Sequence, residues 1–164
     1  MKTCVFAGTF DPVTTGHEDM INRCASMYDK VVVAVGNNSE KNPYFTIEER
    51  VQILKTAFSG YKNVEIATFD GLLIDFMKER GIKINVRGLR NERDYTYETE
   101  MACYNQDFYP ELITVYLPTP KNLTYVSSSA VRKIIAIGAD ASEYIPRQAV
   151  ELVKELIKSK KNTK

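Results

Sequence analysis

The stretch Gly8-Thr9-Phe10-Asp11-Pro12-Val13-Thr14-Thr15-Gly16-His17 gathers groups suited to receiving an anion. Gly8 lets backbone come close to a ligand. Thr9 offers a hydroxyl and an N–H, and Asp11-Pro12 sets a turn. Gly16 and His17 open a helix, where free N–H groups and the helix dipole favour a phosphate. His17 would meet that anion with a ring N–H. It is the only histidine in the chain. A lone histidine is more often structural than functional. A place just after an apolar strand, in a loop with glycine at both ends, turns the reading toward function.

Three further groups fit the same chemistry. Arg87-Gly88-Leu89-Arg90 sets two arginines around a glycine at a strand end, a spacing that can clamp two phosphates. Arbitrary arginines would be solvated surface charges. Glu98, one turn beyond Asp94 on the next helix, could accept from ribose hydroxyls or an adenine amino group, or be a plain surface charge. Thr124-Tyr125-Val126-Ser127-Ser128-Ser129 leads into another helix. One serine there would be an ordinary cap, whereas three can also wrap a phosphate with hydroxyls and N–H groups. Lys41, in the polar loop Ser39-Glu40-Lys41-Asn42-Pro43, matters only if that loop folds over the site. Neither Gly-x-Gly-x-x-Gly nor Gly-x-x-x-x-Gly-Lys-Ser/Thr occurs, so the dinucleotide fingerprint and the P-loop are both absent.

The elements that must position these groups alternate between short apolar runs and amphipathic segments. Strands are predicted at 4–7, 31–35, 64–69, 83–86 and 113–117, and helices at 16–27, from 47 to near Phe58, 72–80, 94–108, 127–137 and 147–157. Thr46-Ile47-Glu48-Glu49 has capping-box spacing. Asp70 is placed to cap the third helix, and Gly81 to end it. Five strands separated by helices imply parallel pairing through right-handed crossovers. Fully apolar strands imply a sheet covered on both faces. The expected fold is a Rossmann-like, doubly wound, five-stranded parallel α/β sheet with helices on both faces. It is one domain over residues 1–157, with a polar tail at 158–164. In such a sheet ligands bind beyond the carboxyl ends of the strands.

Bulk properties set the bounds. The chain has 164 residues, room for one domain and a full core. Its 22 basic and 21 acidic residues nearly balance, which argues against a nucleic-acid-coating protein. Cys4, Cys24 and Cys103 fit no disulfide framework and no zinc site. The first residues lack the apolar core of a signal peptide, and no apolar run has membrane-spanning length. A cytoplasmic protein without membrane or nucleic-acid partners is expected.

Thr14-Thr15-Gly16-His17 resembles the [His/Thr]-x-Gly-His signature of the nucleotidyltransferase superfamily. Taken with Gly8-Thr9-Phe10-Asp11-Pro12, Arg87-Gly88-Leu89-Arg90, Tyr97-Glu98 and Val126-Ser127-Ser128-Ser129, the chain closely resembles the bacterial phosphopantetheine adenylyltransferase family from Lys2 to about Leu156. The resemblance implies AMP transfer from ATP to 4′-phosphopantetheine, giving dephospho-coenzyme A and pyrophosphate. It implies catalytic roles for His17, Lys41 and Arg90. It implies ATP contacts from Thr9, Phe10, His17, Gly88, Leu89, Arg90, Glu98, Leu123, Thr124, Tyr125, Val126, Ser127, Ser128 and Ser129. Thr9, Lys41, Leu73 and Arg87 would hold the acceptor. Magnesium arriving with ATP, feedback by coenzyme A and a homohexamer are implied as well. No metal site made by the protein is expected. Three positions depart from the family pattern: Ala7 where proline is frequent, Leu123 where an aromatic is frequent, and Gly71 where an acidic residue is common.

Overall fold

The apolar runs become the inner strands of a twisted parallel sheet. The computed structural model describes residues 1–37 and 42–162. Among the described residues the strands are β1 Thr3–Gly8, β2 Lys30–Gly36, β3 Val64–Phe69, β4 Ile84–Leu89 and β5 Ile113–Pro118. The helices are α1 Thr15–Met27, α2 Ile47–Ala57, α3 Leu73–Glu79, α4 Glu92–Phe108, α5 Ser128–Ala136 and α6 Val150–Asn162. All strand pairs are parallel, in the order β3-β2-β1-β4-β5. The chain winds outward from β1 through β2 and β3, then crosses to β4 on the other side of β1. The order therefore reverses between β1 and β4, where a crevice opens beyond the strand ends.

The two faces of the sheet are covered by different helices, as strand alternation requires. On one face Cys4, Phe6, Val31, Val33 and Val86 pack with Met20, Ile21 and Cys24 of α1, Ile53 and Leu54 of α2, Val131 and Ile135 of α5, and Val153 of α6. On the other, Val5, Ala7, Val32 and Ala34 pack with Ile74 and Met77 of α3 and with Tyr109 and Leu112. α4 lies over the β4–β5 part of this second face, where the Tyr116 hydroxyl donates to the Glu98 carbonyl at 3.2 Å. The Thr46–Glu49 capping box forms as its spacing predicts.

Three expectations differ from the structure. β4 runs on to Leu89, so Arg87 and Gly88 lie inside the strand rather than after it. Their backbone pairs with Tyr116 and Leu117 of β5, which holds a charged residue in strand geometry. Asp70 does not cap α3. The cap position is Leu72 with no side-chain bond, and Asp70 instead accepts from Asn37 Nδ2 at 2.9 Å. The polar tail expected from residue 158 is helical through Asn162. Lys160 is the reason: its ammonium pairs with Glu49 at 2.7 Å and lies over the rings of Tyr44 and Phe45.

Candidate active site

The loop after β1 is held from several sides before it reaches α1. The Arg50 side chain, 2 % exposed, donates from Nη1 to the carbonyls of Thr9 at 2.8 Å and Gly36 at 3.1 Å. The Asp11 carboxylate accepts from the N–H groups of Tyr44 and Phe45, both at 2.8 Å. The Ser128 hydroxyl donates to the Pro12 carbonyl at 2.8 Å, and Arg132 Nη1 donates to the Asp11 carbonyl at 2.7 Å. These last two bonds draw the loop against the start of α5. Phe10 sits at φ 49, a left-handed conformation that bulky residues rarely adopt. Its ring turns inward and is 1 % exposed. A Cβ on Gly8 would come within 3.1 Å of that ring, tighter than nearly all real contacts, so a larger residue there would have to push the ring aside.

Thr14 caps α1 through a reciprocal pair in which histidine takes the place usual for Glu or Gln. The His17 N–H donates to Thr14 Oγ1 at 3.4 Å, and the Thr14 N–H donates to His17 Nδ1 at 3.1 Å. Because Nδ1 accepts a backbone proton, the proton of the neutral ring resides on Nε2. The Phe10 ring meets the imidazole edge-on, centroids 5.0 Å apart. Burial first, then the charges of Arg90 and Arg87, pull the His17 pKa from 6.5 down to about 4. The ring is therefore an uncharged donor at neutral pH.

Across the crevice, α4 presents two carboxylates one turn apart. Glu98 takes Arg87 in a fork, Nε to Oε2 at 2.7 Å and Nη2 to Oε1 at 2.6 Å, while Arg87 Nη1 donates to the Ala7 carbonyl at 3.1 Å. Asp94 Oδ2 accepts from Arg90 Nε at 2.9 Å and from the Arg90 N–H at 3.1 Å. Burial acts to raise the Asp94 pKa, but the hydrogen bonds and charge of Arg90 prevail and hold it below the usual carboxylate range. These bonds leave N–H groups on both arginines uncommitted to any described residue. At the third corner Ser127 caps α5 by accepting from the Ala130 N–H at 3.1 Å. Ser129 Oγ accepts from Arg132 Nη2 at 3.2 Å.

Three neighbouring hollows share lining residues here. The central one, about 250 Å³, is lined by His17, Arg87, Gly88, Arg90, Glu98, Leu123, Val126, Ser127 and Ser128, among others. A second, about 320 Å³, shares His17 and Ser128 with it and adds Thr9, Phe10, Ser129 and Arg132. A third, about 580 Å³, shares Arg87 and Glu98 with it and adds Leu73, Phe69, Asn85, Met101 and Phe108. His17, Arg90 and Ser128 thus share one cavity.

Residues 5–134 match the cytidylyltransferase-like family. A phosphopantetheine adenylyltransferase of Alkaliphilus metalliredigens is 42 % identical over 146 residues, covering 89 % of this chain and 93 % of that one. One from Clostridium perfringens is 40 % identical over 159 residues, covering 97 % of each. The chain belongs to the phosphopantetheine adenylyltransferase family. A crystal structure of a nicotinate-nucleotide adenylyltransferase candidate from Vibrio parahaemolyticus shares the fold at a TM-score of 0.65 and 17 % identity, covering 93 % of this chain and 98 % of that one.

As a phosphopantetheine adenylyltransferase family member, the chain brings most of its sequence-predicted residues onto the three hollows. Leu89, Thr124 and Tyr125 line none of them. The Thr124 hydroxyl donates to the Lys121 carbonyl, and Tyr125 is largely exposed beside Tyr144. Phe10 reaches the second hollow as part of a buried ring wall. Lys41 lies outside the described residues. Sequence reasoning missed Arg132 and Asn85. Arg132 stands one turn beyond Ser129 on α5, a spacing that places both on one helix side. Asn85 was legible as the lone polar residue in the apolar run Ile84-Asn85-Val86.

Proposed function

We infer that the protein transfers AMP from ATP to 4′-phosphopantetheine, giving dephospho-coenzyme A and pyrophosphate. The carrying observation is the set of neighbouring hollows around His17, Arg87, Arg90 and the start of α5, with His17 and Ser128 shared by two of them and Arg87 and Glu98 by another two. ATP occupies the central and second hollows, with its phosphates near His17, Arg90, Arg132 and the N–H groups of Ser128 and Ser129. The acceptor phosphate lies at Arg87 and Thr9, and its arm extends past Leu73 into the third hollow; the family resemblance alone assigns Lys41 to that phosphate. Glu98 contributes to the ATP side while steadying Arg87.

The reaction is a direct in-line displacement. An anionic oxygen of the acceptor phosphate attacks the α-phosphorus of ATP, and the bond to the bridging oxygen of pyrophosphate breaks. The attacking oxygen needs little deprotonation. The serine hydroxyls near the junction are engaged as caps or tethers, which argues against a covalent enzyme intermediate. The protein's work is to hold two polyanions together and to meet charge developing on the α-phosphate. His17 Nε2–H supplies one such donor, held in place through Nδ1.

Magnesium would come with ATP and neutralise phosphate charge. No cluster of metal-binding side chains occurs among the described residues, and the carboxylates nearest the junction, Asp94 and Glu98, already face arginines. Among the described residues no helix is long and apolar enough to cross a membrane. Tyr95, Tyr97, Tyr104 and Phe108 are each more than half exposed along α4, which supports self-association through that helix; a homohexamer with coenzyme A as feedback ligand is the form the family resemblance implies.

Pyrophosphate release tests the reading. It is expected with ATP, magnesium and 4′-phosphopantetheine, and not when CTP replaces ATP or when the acceptor is left out. Tight ATP binding without pyrophosphate release in the complete mixture would overturn it.

A further inference from the structure

Asn85 is a polar residue at the centre of the sheet, on the face covered by α3 and α4. Its register partners are Val5 of β1 and Thr114 of β5. It is 3 % exposed, and its Oδ1 is buried with no hydrogen-bond partner among the described residues. A buried acceptor left unpaired is costly, and native structures rarely keep one without use. A leucine or valine would fill a central strand position without that cost. Asn85 and Thr114 both line the third hollow, whose other walls include Phe69, Leu72, Met101 and Phe108. An amide carbonyl set among such walls selects for a ligand that is mostly aliphatic and carries an N–H at that depth.

We propose that Asn85 is a specificity-determining residue for the acceptor: with its side-chain amide turned over, so that Oδ1 rather than Nδ2 faces the third hollow, it accepts an amide N–H of the acceptor's arm. The proposal rests on the acceptor assigned above. It follows from the shared wall of the hollows, since an acceptor whose phosphate meets Arg87 has its arm directed into the space that Arg87 and Glu98 also border. Pantetheine carries two secondary amides along an aliphatic chain, so its chemistry matches both the walls and the unpaired oxygen. A site built to hydrogen-bond a substrate N–H rejects analogues lacking it far better than an apolar wall can.

The test combines a variant with a changed acceptor. Asn85→Leu is expected to raise the KM for 4′-phosphopantetheine about tenfold, the scale of one buried hydrogen bond lost, with the KM for ATP unchanged within twofold. Removing the unpaired oxygen should also raise the melting temperature of the ligand-free protein by about 2–4 °C. On the wild-type protein, acceptors methylated on one or the other amide nitrogen should show a similar loss for one of the two. Combining that acceptor with Asn85→Leu should add little, the non-additivity expected of partners in one contact. The methylated acceptors keep the test decisive should the variant fold poorly. Equal rises in both KM values, additive losses, or an acceptor KM within twofold of wild type would overturn the assignment of Asn85 alone. Failure of the wild type to release pyrophosphate would instead overturn the acceptor itself, and this inference with it.

Discussion

α1 and α4 both begin just beyond a strand end and both face the same crevice, yet they are fixed by opposite means. α1 sinks Met20, Ile21 and Cys24 into the core, and its first turn is locked by the Thr14–His17 pair. α4 spans 17 residues without one buried side chain. It meets the crevice through polar contacts, Glu98 with Arg87 and Asp94 with Arg90. Apolar packing is short-ranged and dense, so it fixes position. Partly exposed ion pairs contribute little to stability but leave charge where a phosphate can compete for it. The donor that must be exact rides on the packed helix. The carboxylates that share arginines with incoming anions ride on the helix that the core does not hold.

The sharpest way to break this comparison is at His17. His17→Ala should lower turnover by about 10²–10³ while the fold survives, the scale of one lost transition-state donor. Steady-state rates of a variant with wild-type circular dichroism would check it, and wild-type turnover would remove His17 from the chemistry. The next effect separates the two helices by stability. Ile21→Ala in α1 should cost about 2–5 kcal/mol in chemical denaturation, whereas Tyr104→Ala in α4 should stay within about 0.5 kcal/mol for the isolated chain. Light scattering on Tyr104→Ala should show weakened assembly, and a wild-type protein that is monomeric at micromolar concentration would remove the oligomer. A further effect is in pH dependence. The unfolded histidine titrates near 6.5 and the folded one near 4. Between those values the unfolded chain takes up a proton that the folded chain refuses, so this contribution to stability is lost as pH falls from about 6.5 to about 4. His17→Gln keeps a capping side chain and cannot titrate, so its denaturation midpoint should decline less over that window.

Much of this was legible in the chain. The β1 loop, the two arginines and the serine run carry recognisable spacings, and strand alternation with helices dictates where their ends meet. The strand order was not readable, because register and neighbour choice depend on long-range packing. The end of β4 was misplaced because a charged side chain looks like a loop in one dimension, whereas backbone pairing with β5 decides the matter. Lys160 looked like part of a solvated tail because its partners, Glu49 and two aromatic rings, are more than a hundred positions away. Asn85 drew no reading from the sequence, since a sequence shows polarity but not whether a partner is present. Arg132 lies beyond the serine run, and only helical spacing from Ser129 points one turn further to it.

A parallel sheet ends at its carboxyl edge in a fringe of carbonyl oxygens, a poor welcome for triphosphates. Arg50 reaches through the interior and draws two of them, from Thr9 and Gly36, onto its own Nη1. A guanidinium in the core thereby masks the negative lip between β1 and β2 from behind, without occupying space that a nucleotide would need. The anion-friendly character of the crevice is thus partly set by a buried side chain that lines none of the three hollows.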